Sequence, residues 1–393
     1  MITDLTSIYT DSIGTKQSFT PSTEYIPTLE DTKSSSRVMD EQYNESCSDW
    51  SNVSINTTLK DLTACVERYH NLDPNRFDQT DIPFVIAEYG CATGAASVLP
   101  LQTIINAVRR IQPRMTIQII LNDLPENHHG LAISAVSQGL SLYDDIYIMV
   151  AGKDFTKQVF PNNSVDIAYS NMTAQIIPQA PCPRDENVFF LANSKNIQSE
   201  WGEKWVQAFE KHWESFISNR QKELKTNGQL FVTVLIYDDP ILPYQEKETQ
   251  FYHEVAGVCL KNLLQKYNLA DKLQSTLKTS SSMFKSHYID ICDKYNEKIQ
   301  VVSSNSYDII DYFYAEYERT KDSRQFGMKV AAYIKGWWAH VLEGGLVSEG
   351  VNQQLANTIS NEFFDTNLPK FVSERASIYP EYFRVLALSV QKI

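Results

Sequence analysis

Basic residues are in the minority in this chain. Among its 393 residues, 35 lysines and arginines stand against 48 aspartates and glutamates, and the formal net charge is −13 at pH 7. A chain with this balance lacks the positive field that gathers nucleic acid or an anionic membrane surface. The charge therefore argues against nucleic acid as a partner or substrate.

Paired cysteines and long apolar runs are also missing. The six cysteines are scattered and form no CxxC pair, so neither a metal site nor a disulfide framework is predicted. No stretch approaches the roughly 20 apolar residues that a membrane-spanning helix needs, and the N-terminus lacks the basic and apolar regions of a signal peptide. We expect a soluble, cytoplasmic protein with reduced cysteines and no membrane partner.

Hydrophobic residues, by contrast, are plentiful. They make up 42% of the chain, and 11% of the chain is aromatic, which is enough to bury a sizeable core in one large α/β domain with insertions or in two smaller domains. Residues 1–40 are rich in Ser, Thr and Asp and contain few clustered apolar residues, a composition that predicts a flexible tail. The folded part is predicted to begin at about residue 41.

A change of pattern near residue 82 predicts a strand, a tight turn and a helix in succession. Residues 83–87 form a short apolar run, residues 88–94 (EYGCATG) form a small-residue turn, and residues 95–111 have helical periodicity. Helical stretches such as residues 201–226 separate several of the later strand-like runs. Those runs lie at residues 115–121, 146–151, 165–170, 188–191 and 230–236. This alternation predicts a doubly wound α/β fold, with a mostly parallel sheet and helices on both faces.

The pattern from residue 244 to about residue 361 is largely helical, including residues 252–267 and 327–342, and a last strand is predicted at 384–390. We expect residues 41–243 to form the sheet core with an N-terminal lid, and the final strand to return to that sheet. Residues 244–383 are expected to form a helical cap that carries the acceptor pocket.

Two carboxylates stand at the ends of the first two predicted strands. Glu88 ends the first and Asp123 the second, 35 positions later, whereas a dinucleotide fingerprint has GxGxxG and an acidic residue about 20 positions on. Gly90 and Gly94 form only a GxxxG, which disfavours a dehydrogenase. Asp123 is suited to accept hydrogen bonds from both hydroxyls of a ribose, or it is an N-cap of the next helix. Glu88 is suited to receive an ammonium group, or it is a loop carboxylate in solvent.

These residues resemble the SABATH methyltransferases, a family named for salicylic acid, benzoic acid and theobromine enzymes. Residues 88–94 are similar to its DLGCSSG motif, and residues 121–125 match its LNDLP motif outright. Further similarities, to its LFPxxS, YSLMWLSQVP and DFxxFLxxRxxELxxGG motifs, lie at residues 159–164, 169–178 and 209–228. The resemblance implies the Rossmann-like doubly wound sheet of a class I methyltransferase, S-adenosyl-L-methionine as cofactor and S-adenosyl-L-homocysteine as product.

The resemblance also implies which residues hold the cofactor. They are Glu88 and Gly90 at the methionine end, Asp123 and Leu124 at the ribose and adenine, Asp154 and Phe155 at the adenine, and in addition Tyr43, Ser46, Cys47, Cys91 and Tyr169. Phe155 would stack on the base, the alternative being an ordinary core aromatic. An Asn of the family that follows the glycine loop is Ala96 here, so one methionine-end contact is lost.

The acceptor side departs from the family. Its Gln that holds the substrate carboxylate is Trp50 here, and the Trp that partners this Gln is Thr173. An indole donor at Trp50 and a hydroxyl donor at Thr173 would rebuild the clamp, which makes them the predicted catalytic residues; alternatively, Trp50 is a hydrophobic lid residue and the acceptor is not the usual acid. His253 replaces a pocket Trp and would donate to a second polar group of the acceptor, or it lies on a helix surface. Tyr169 and Met172 are as in the family and complete the implied acceptor contacts.

The implied reaction is methyl transfer to a carboxylate, which is already ionised at pH 7 because its pKa is about 4. No general base is then needed, and the residues that position the acceptor are the catalytic ones. We expect an O-methyltransferase that converts a small organic acid, aromatic or dicarboxylic, to its methyl ester by in-line transfer. The alternatives are N-methylation of a small heterocycle and a protein of this fold that only binds a small molecule. A homodimer is implied by the resemblance alone.

Overall fold

A computed structural model describes residues 43–178, 180–183, 198–238, 240–277 and 282–393, with side chains from Asn52 onward. The predicted tail, residues 1–40, and the predicted strand at residues 188–191 lie outside the described residues. Tyr43, Ser46, Cys47 and Trp50 lie in the first helix, and their side chains are likewise outside the described part of the structure.

A central sheet organises the fold. Its strands are β1 (Phe84–Tyr89), β2 (Ile117–Asp123), β3 (Ile146–Gly152), β4 (Val165–Asn171), β5 (Leu224–Tyr237), β6 (Met283–Phe284), β7 (Ile299–Ile310) and β8 (Tyr382–Lys392). Their order is β3-β2-β1-β4-β5-β8-β7, with the short β6 paired to β5. β1 to β5 are parallel, and β8 runs antiparallel to both β5 and β7. The order reverses between β1 and β4, and such a switch point opens a crevice for ligands at the carboxyl ends of the strands.

Twelve α-helices are found among the described residues. They are α1 (Tyr43–Leu72), α2 (Pro74–Asp78), α3 (Val98–Ile111), α4 (His129–Gly139), α5 (Glu200–Glu223), α6 (Pro243–Glu254), α7 (Lys261–Lys266), α8 (Lys285–Asp293), α9 (Tyr312–Thr320), α10 (Ser323–Ser348), α11 (Gln353–Glu362) and α12 (Leu368–Glu374). Two π-helical segments, Val255–Leu260 and Phe363–Asn367, connect α6 to α7 and α11 to α12. No helix of the described residues is long and apolar enough to cross a membrane.

Both faces of the sheet are buried at the central strands β1, β4 and β5, which explains why these strands are apolar on both sides. The edge strand β3 is more open, with Tyr147 and Met149 exposed. On one face Ile86 and Ile119 pack with side chains of α1 and α3, such as Val66 and Ile104. On the other face Tyr89 packs with Trp213 and other aromatic residues of α5. The prediction of a doubly wound α/β fold is confirmed.

A third core lies among α6, α7 and α9–α12, which we call the cap helices. It contains the buried Trp337 and Trp338 of α10 and reaches the sheet through Tyr237 and Val385. The separation of the chain into a sheet core and a helical cap at residue 243 stays a prediction, and one part of it needs correction. β7 lies within the segment predicted to be helical and joins the sheet at its edge. Its run of Ser and Asn carries no apolar alternation, because an edge strand need not be buried on both faces.

Candidate cofactor and acceptor site

Glu88 lies at the carboxyl end of β1 with only 4% of its surface exposed. Its Oε2 atom has no hydrogen-bond partner among the residues that the structure describes. Burial raises the pKa of Glu88 to about 7, the nearby Asp123 carboxylate contributes to the rise, and the Ser97 hydroxyl opposes it. The alternative of an exposed loop carboxylate is therefore wrong. A buried acceptor atom without a donor is suited to a ligand that brings a cationic N–H group.

Gly90 begins the loop after β1 and adopts φ +83°, a conformation that favours glycine. Its N–H and that of Cys91 donate to Asn122 O at 2.8 and 3.1 Å, which folds the loop over the end of β2. A Cβ at Gly90 would lie 2.3 Å from Thr173 Cγ2. Only glycine therefore allows the segment after β4 to approach this loop so closely.

Asp123 ends β2 and binds the same loop. Its Oδ2 accepts from Ala92 N at 2.7 Å, and its Oδ1 accepts from Leu124 N at 2.8 Å. The next helix, α4, begins at His129 with His128 as its N-cap, so the alternative of Asp123 as an N-cap is wrong. A carboxylate oxygen accepts more than one hydrogen bond, so these contacts leave capacity for ribose hydroxyls.

Asn127 was not singled out in the sequence, yet it holds the other side of this loop. Its Nδ2 donates to Ala92 O at 2.7 Å, so the peptide groups flanking Ala92, which has φ +48°, are held by Asp123 and Asn127 together. The Asn127 side chain is buried, and its Oδ1 has no hydrogen-bond partner in the described part of the chain. The sequence gives a partial signal, since Asn127 lies two residues after the matched LNDLP segment, but nothing in it indicates the contact to Ala92.

The segment implied to hold adenine follows β3. Asp154 Oδ1 accepts from Thr156 N at 2.9 Å, which closes a turn, and Phe155 packs edge-on against Phe216 and His212 at centroid distances of 5.6 and 6.0 Å. Phe155 is 8% exposed and belongs to the core under α5. This placement fits its alternative as a core aromatic. Stacking on a base stays a prediction.

Tyr169 pairs with Glu88 in the register of β4 and β1, so the two side chains share one face of the sheet. Its ring is buried and stacks on Phe231 at 6.2 Å, and burial, with a smaller contribution from Glu88, raises the pKa of its hydroxyl well above the ordinary value. Cys91 and Leu124 are buried beside the same strand ends. The structure therefore gathers most of the predicted cofactor residues at one edge of the sheet.

Met172 and Thr173, which the resemblance assigns to the acceptor, directly follow β4. Met172 packs against the core of the cap helices. The Thr173 hydroxyl donates to Asn171 O at 2.9 Å and lies 3.3 Å from Gly90 O. A hydroxyl has one proton, so Thr173 must turn away from these carbonyls before it donates to an acceptor.

His253 lies on α6 among the cap helices. It is partly buried, burial lowers its pKa, and its Nε2 has no hydrogen-bond partner within the described segments. The neighbouring Tyr252 is buried and packs against Trp337. The Thr173 hydrogen bonds in the described residues go to Gly90 O and Asn171 O, not to His253, so the role of His253 at the acceptor stays a prediction. The described residues also contain no group of three His, Cys, Asp or Glu residues that could hold a metal ion.

Comparison with known proteins identifies a family to which this chain is similar. A family model described as SAM dependent carboxyl methyltransferase matches residues 43–379. The salicylate/benzoate carboxyl methyltransferase of Arabidopsis thaliana is 24% identical over 160 residues, which are 38% of this chain and 42% of that protein. The probable caffeine synthase 3 of Coffea arabica is 22% identical over 176 residues, which are 39% of this chain and 46% of that protein. The matches thus span about half the length of these curated relatives.

A solved structure shows the shared fold over a longer stretch. The structure described as loganic acid methyltransferase with SAH matches with a TM-score of 0.70 at 14% sequence identity, and the match covers 90% of this chain and 97% of that chain. The likeness extends the shared fold to the cap helices as well as the sheet.

Proposed function

We propose that this chain, which belongs to the SAM-dependent carboxyl methyltransferase family, transfers the methyl group of S-adenosylmethionine to the carboxylate of a small organic acid. The resemblance to the SABATH methyltransferases is confirmed by the family match. The products are the methyl ester and S-adenosylhomocysteine. The observation that carries the proposal is the close approach of Thr173 to Gly90, because it brings the acceptor segment against the cofactor loop.

The residues at the sheet edge fit S-adenosylmethionine. The unpartnered Glu88 Oε2 suits the ammonium of its methionine end, and Asp123 suits its ribose hydroxyls. When bound, the cofactor supplies an electrophilic methyl group on a sulfonium. The hydrogen bonds from Gly90 N and Cys91 N to Asn122 O hold the Gly90 loop in place. The loop would in turn orient the cofactor.

The chain itself has only to position the acceptor and to exclude water. A carboxylate is ionised at pH 7, so it attacks without a general base. Met172 and the apolar core of the cap helices supply a wall that keeps water away, and removing water from the carboxylate strengthens every electrostatic contact in the site. Trp50 and Thr173 are the proposed donors to the acceptor carboxylate.

The test is methyl transfer from labelled S-adenosylmethionine to a panel of small monocarboxylic acids, dicarboxylic acids and xanthines. We expect ester formation, and we expect Thr173→Val to lower kcat/KM for the acid by about 10- to 100-fold, because a hydrogen bond to a charged group contributes about 1.5–3 kcal/mol. Thr173→Ser keeps the hydroxyl and is the matched control, with activity within a few-fold of wild type. Turnover of no acid, with intact cofactor binding, would rule the proposal out.

A nitrogen acceptor is the second candidate, and Glu248 of α6 favours it. This side chain is partly buried, and burial raises its pKa to about 7, while a hydrogen bond with Tyr237 opposes the rise and the Asp311 carboxylate adds to it. Tyr237 belongs to the same core against which Met172 packs. A carboxylate near the acceptor repels an acid but accepts hydrogen bonds from a heterocycle.

The same panel separates the two candidates. If a ring nitrogen is the acceptor, xanthines turn over and Glu248→Gln lowers their kcat/KM by at least about 10-fold, the loss of one charge-assisted hydrogen bond. If a carboxylate is the acceptor, Glu248→Gln leaves acid turnover unchanged or raises it. Cofactor binding without turnover of either class would leave a small-molecule binding protein.

A further inference from the structure

We infer that the buried pair Arg220–Glu223 of α5 positions the cofactor. The pair fixes two segments relative to each other: residues 155–160, which we call the adenine segment, and the start of the Gly90 loop at Tyr89. The inference rests on the proposed placement of the cofactor between these two segments. Both side chains are fully buried, and they lie one helical turn apart. Arg220 Nη2 and Nε donate to the two Glu223 oxygens at 2.8 and 2.9 Å.

Arg220 holds the adenine segment by its carbonyl groups. Its Nη1 donates to Phe155 O at 2.8 Å, and its Nη2 donates to Lys157 O at 3.1 Å. The guanidinium is planar and rigid, so it fixes the direction of these carbonyls as well as their distance. The backbone at Phe155 is therefore held from α5, some 63 to 65 positions later in the chain.

Glu223 holds the same segment by its N–H groups. Its Oε1 accepts from Val159 N at 2.5 Å and from Phe160 N at 3.1 Å. Residues 155–160 are thus bound at both ends, by the cation at Phe155 and by the carboxylate at Val159. Packing alone does not require this arrangement, because a buried ion pair contributes little net stability over apolar residues of similar size.

The pair also reaches the other end of the site through Tyr89. The Tyr89 hydroxyl donates to Glu223 Oε2 at 2.6 Å, and the Arg220 guanidinium carbon lies 4.0 Å from the centre of the Tyr89 ring. Tyr89 stands between Glu88 and Gly90, so its position sets where the glycine loop begins. A shift of the pair would therefore move both walls of the cofactor site at once.

A matched control exists in a second buried pair, Arg76 and Asp166. Arg76 Nε and Nη2 donate to the two Asp166 oxygens at 2.7 and 3.0 Å, and both side chains are almost fully buried. Asp166 is the second residue of β4, at the amino end of the strand, whereas Gly90 and Thr173 lie at the carboxyl end. Loss of this pair should cost stability without reaching the cofactor site.

The experiment compares Arg220→Lys with Arg76→Lys in the full-length protein, at a temperature where circular dichroism shows both to be folded. We expect Arg220→Lys to raise the KM for S-adenosylmethionine and the Kd for S-adenosylhomocysteine at least 10-fold, with kcat at saturation within 3-fold of wild type. Arg76→Lys should leave both constants within 3-fold. A merely structural role would lower the active fraction, and therefore kcat, with KM unchanged in both variants, and that result would overturn the inference.

Two further variants keep the outcome decisive. Glu223→Gln retains the size of the side chain and should reproduce the rise in KM, which covers the case in which Arg220→Lys does not fold. Phe155→Ala tests the proposed adenine site itself. If Phe155→Ala weakens cofactor binding but neither Arg220→Lys nor Glu223→Gln does, only the positioning role fails. If Phe155→Ala has no effect, the proposed placement of the cofactor fails, and the positioning role fails with it.

Discussion

Replacing Glu88 by glutamine should stabilise the ligand-free protein at pH 8 and at the same time weaken its binding of S-adenosylmethionine. The folded protein raises the pKa of Glu88 to about 7 from an ordinary value of 4.5, because the side chain is buried beside Asp123. Ionising it at pH 8 therefore costs about 3 kcal/mol of folding free energy. A neutral glutamine of the same shape removes that cost, and Tm should rise by about 4 °C.

The sign of the pH dependence follows from the direction of the shift. Between pH 4.5 and about 7 the unfolded chain releases a proton that folded Glu88 retains, so stability declines as the pH rises through this window. In the wild type the free-energy cost of ionising buried Glu88 is absent below pH 4.5 and fully present above about pH 7. Glu88→Gln should flatten this part of the profile of Tm against pH.

Cofactor affinity should change in the opposite direction. An ionised Glu88 favours the ammonium of the methionine moiety, so wild-type affinity should fall as the pH drops below about 7, and binding there should release a proton. Glu88→Gln should weaken binding about 10- to 100-fold at pH 8, since a charge-assisted hydrogen bond is lost, and its affinity should not vary with pH in this range.

Melting curves from pH 5 to pH 9 and titration calorimetry in two buffers of different ionisation enthalpy check both expectations. Glu126→Gln, at an exposed position just beyond β2, is the control and should change neither Tm nor affinity. A Glu88→Gln protein that melts below wild type at pH 8 would contradict the stability prediction. Unchanged affinity would remove Glu88 from the cofactor site.

Replacing Asp123 by alanine is expected to lower kcat/KM for S-adenosylmethionine by about two to four orders of magnitude. The carboxylate is the proposed partner of two ribose hydroxyls, and it also accepts from Ala92 N and Leu124 N within the structure. Loss of two hydrogen bonds to a charged group corresponds to about 3–6 kcal/mol, or a 10²- to 10⁴-fold fall in kcat/KM. Steady-state kinetics with varied S-adenosylmethionine measures it.

Asp123→Asn keeps the size of the side chain but removes its charge. Asparagine keeps one oxygen for Ala92 N or Leu124 N, while its NH₂ group faces the other N–H and no negative charge is left for the ribose, so both cofactor affinity and the melting temperature should fall. Asp145→Asn, at a carboxylate outside the site in the turn before β3, is the control. Normal affinity in Asp123→Ala would refute the ribose assignment.

The residues at the carboxyl edge of the sheet could be predicted from the sequence because the patterns that indicate them are local. A short apolar strand, a small-residue turn and an amphipathic helix follow one another within 30 residues, and the structure places Glu88, Gly90 and Asp123 at one edge as the pattern predicts. The family and the α/β fold are confirmed. The individual roles of these residues, the cytoplasmic location and the homodimer stay predictions.

Contacts between segments that are distant in the chain could not be predicted from the sequence. Arg220 and Glu223 are visible in the sequence as a helical pair of opposite charge, which usually lies on a solvated surface. The structure buries both because Phe155, Lys157, Val159 and Phe160 supply the matching backbone groups, and no local pattern encodes that encounter. Asn127 was missed for the same reason, since its partner Ala92 lies on another loop.

The strand order β5-β8-β7 also bears on how the chain is made. β7 pairs only with β8 among the described strands, and β8 is synthesised roughly 80 residues after it. Because synthesis proceeds at about 5–20 residues per second, β7 stays unpaired for on the order of ten seconds. An apolar strand left open for that time would invite pairing with other nascent chains. The serines and asparagine at positions 303–306 make β7 a poor template for such pairing, and the same residues that hide this strand from sequence-based prediction protect it during synthesis.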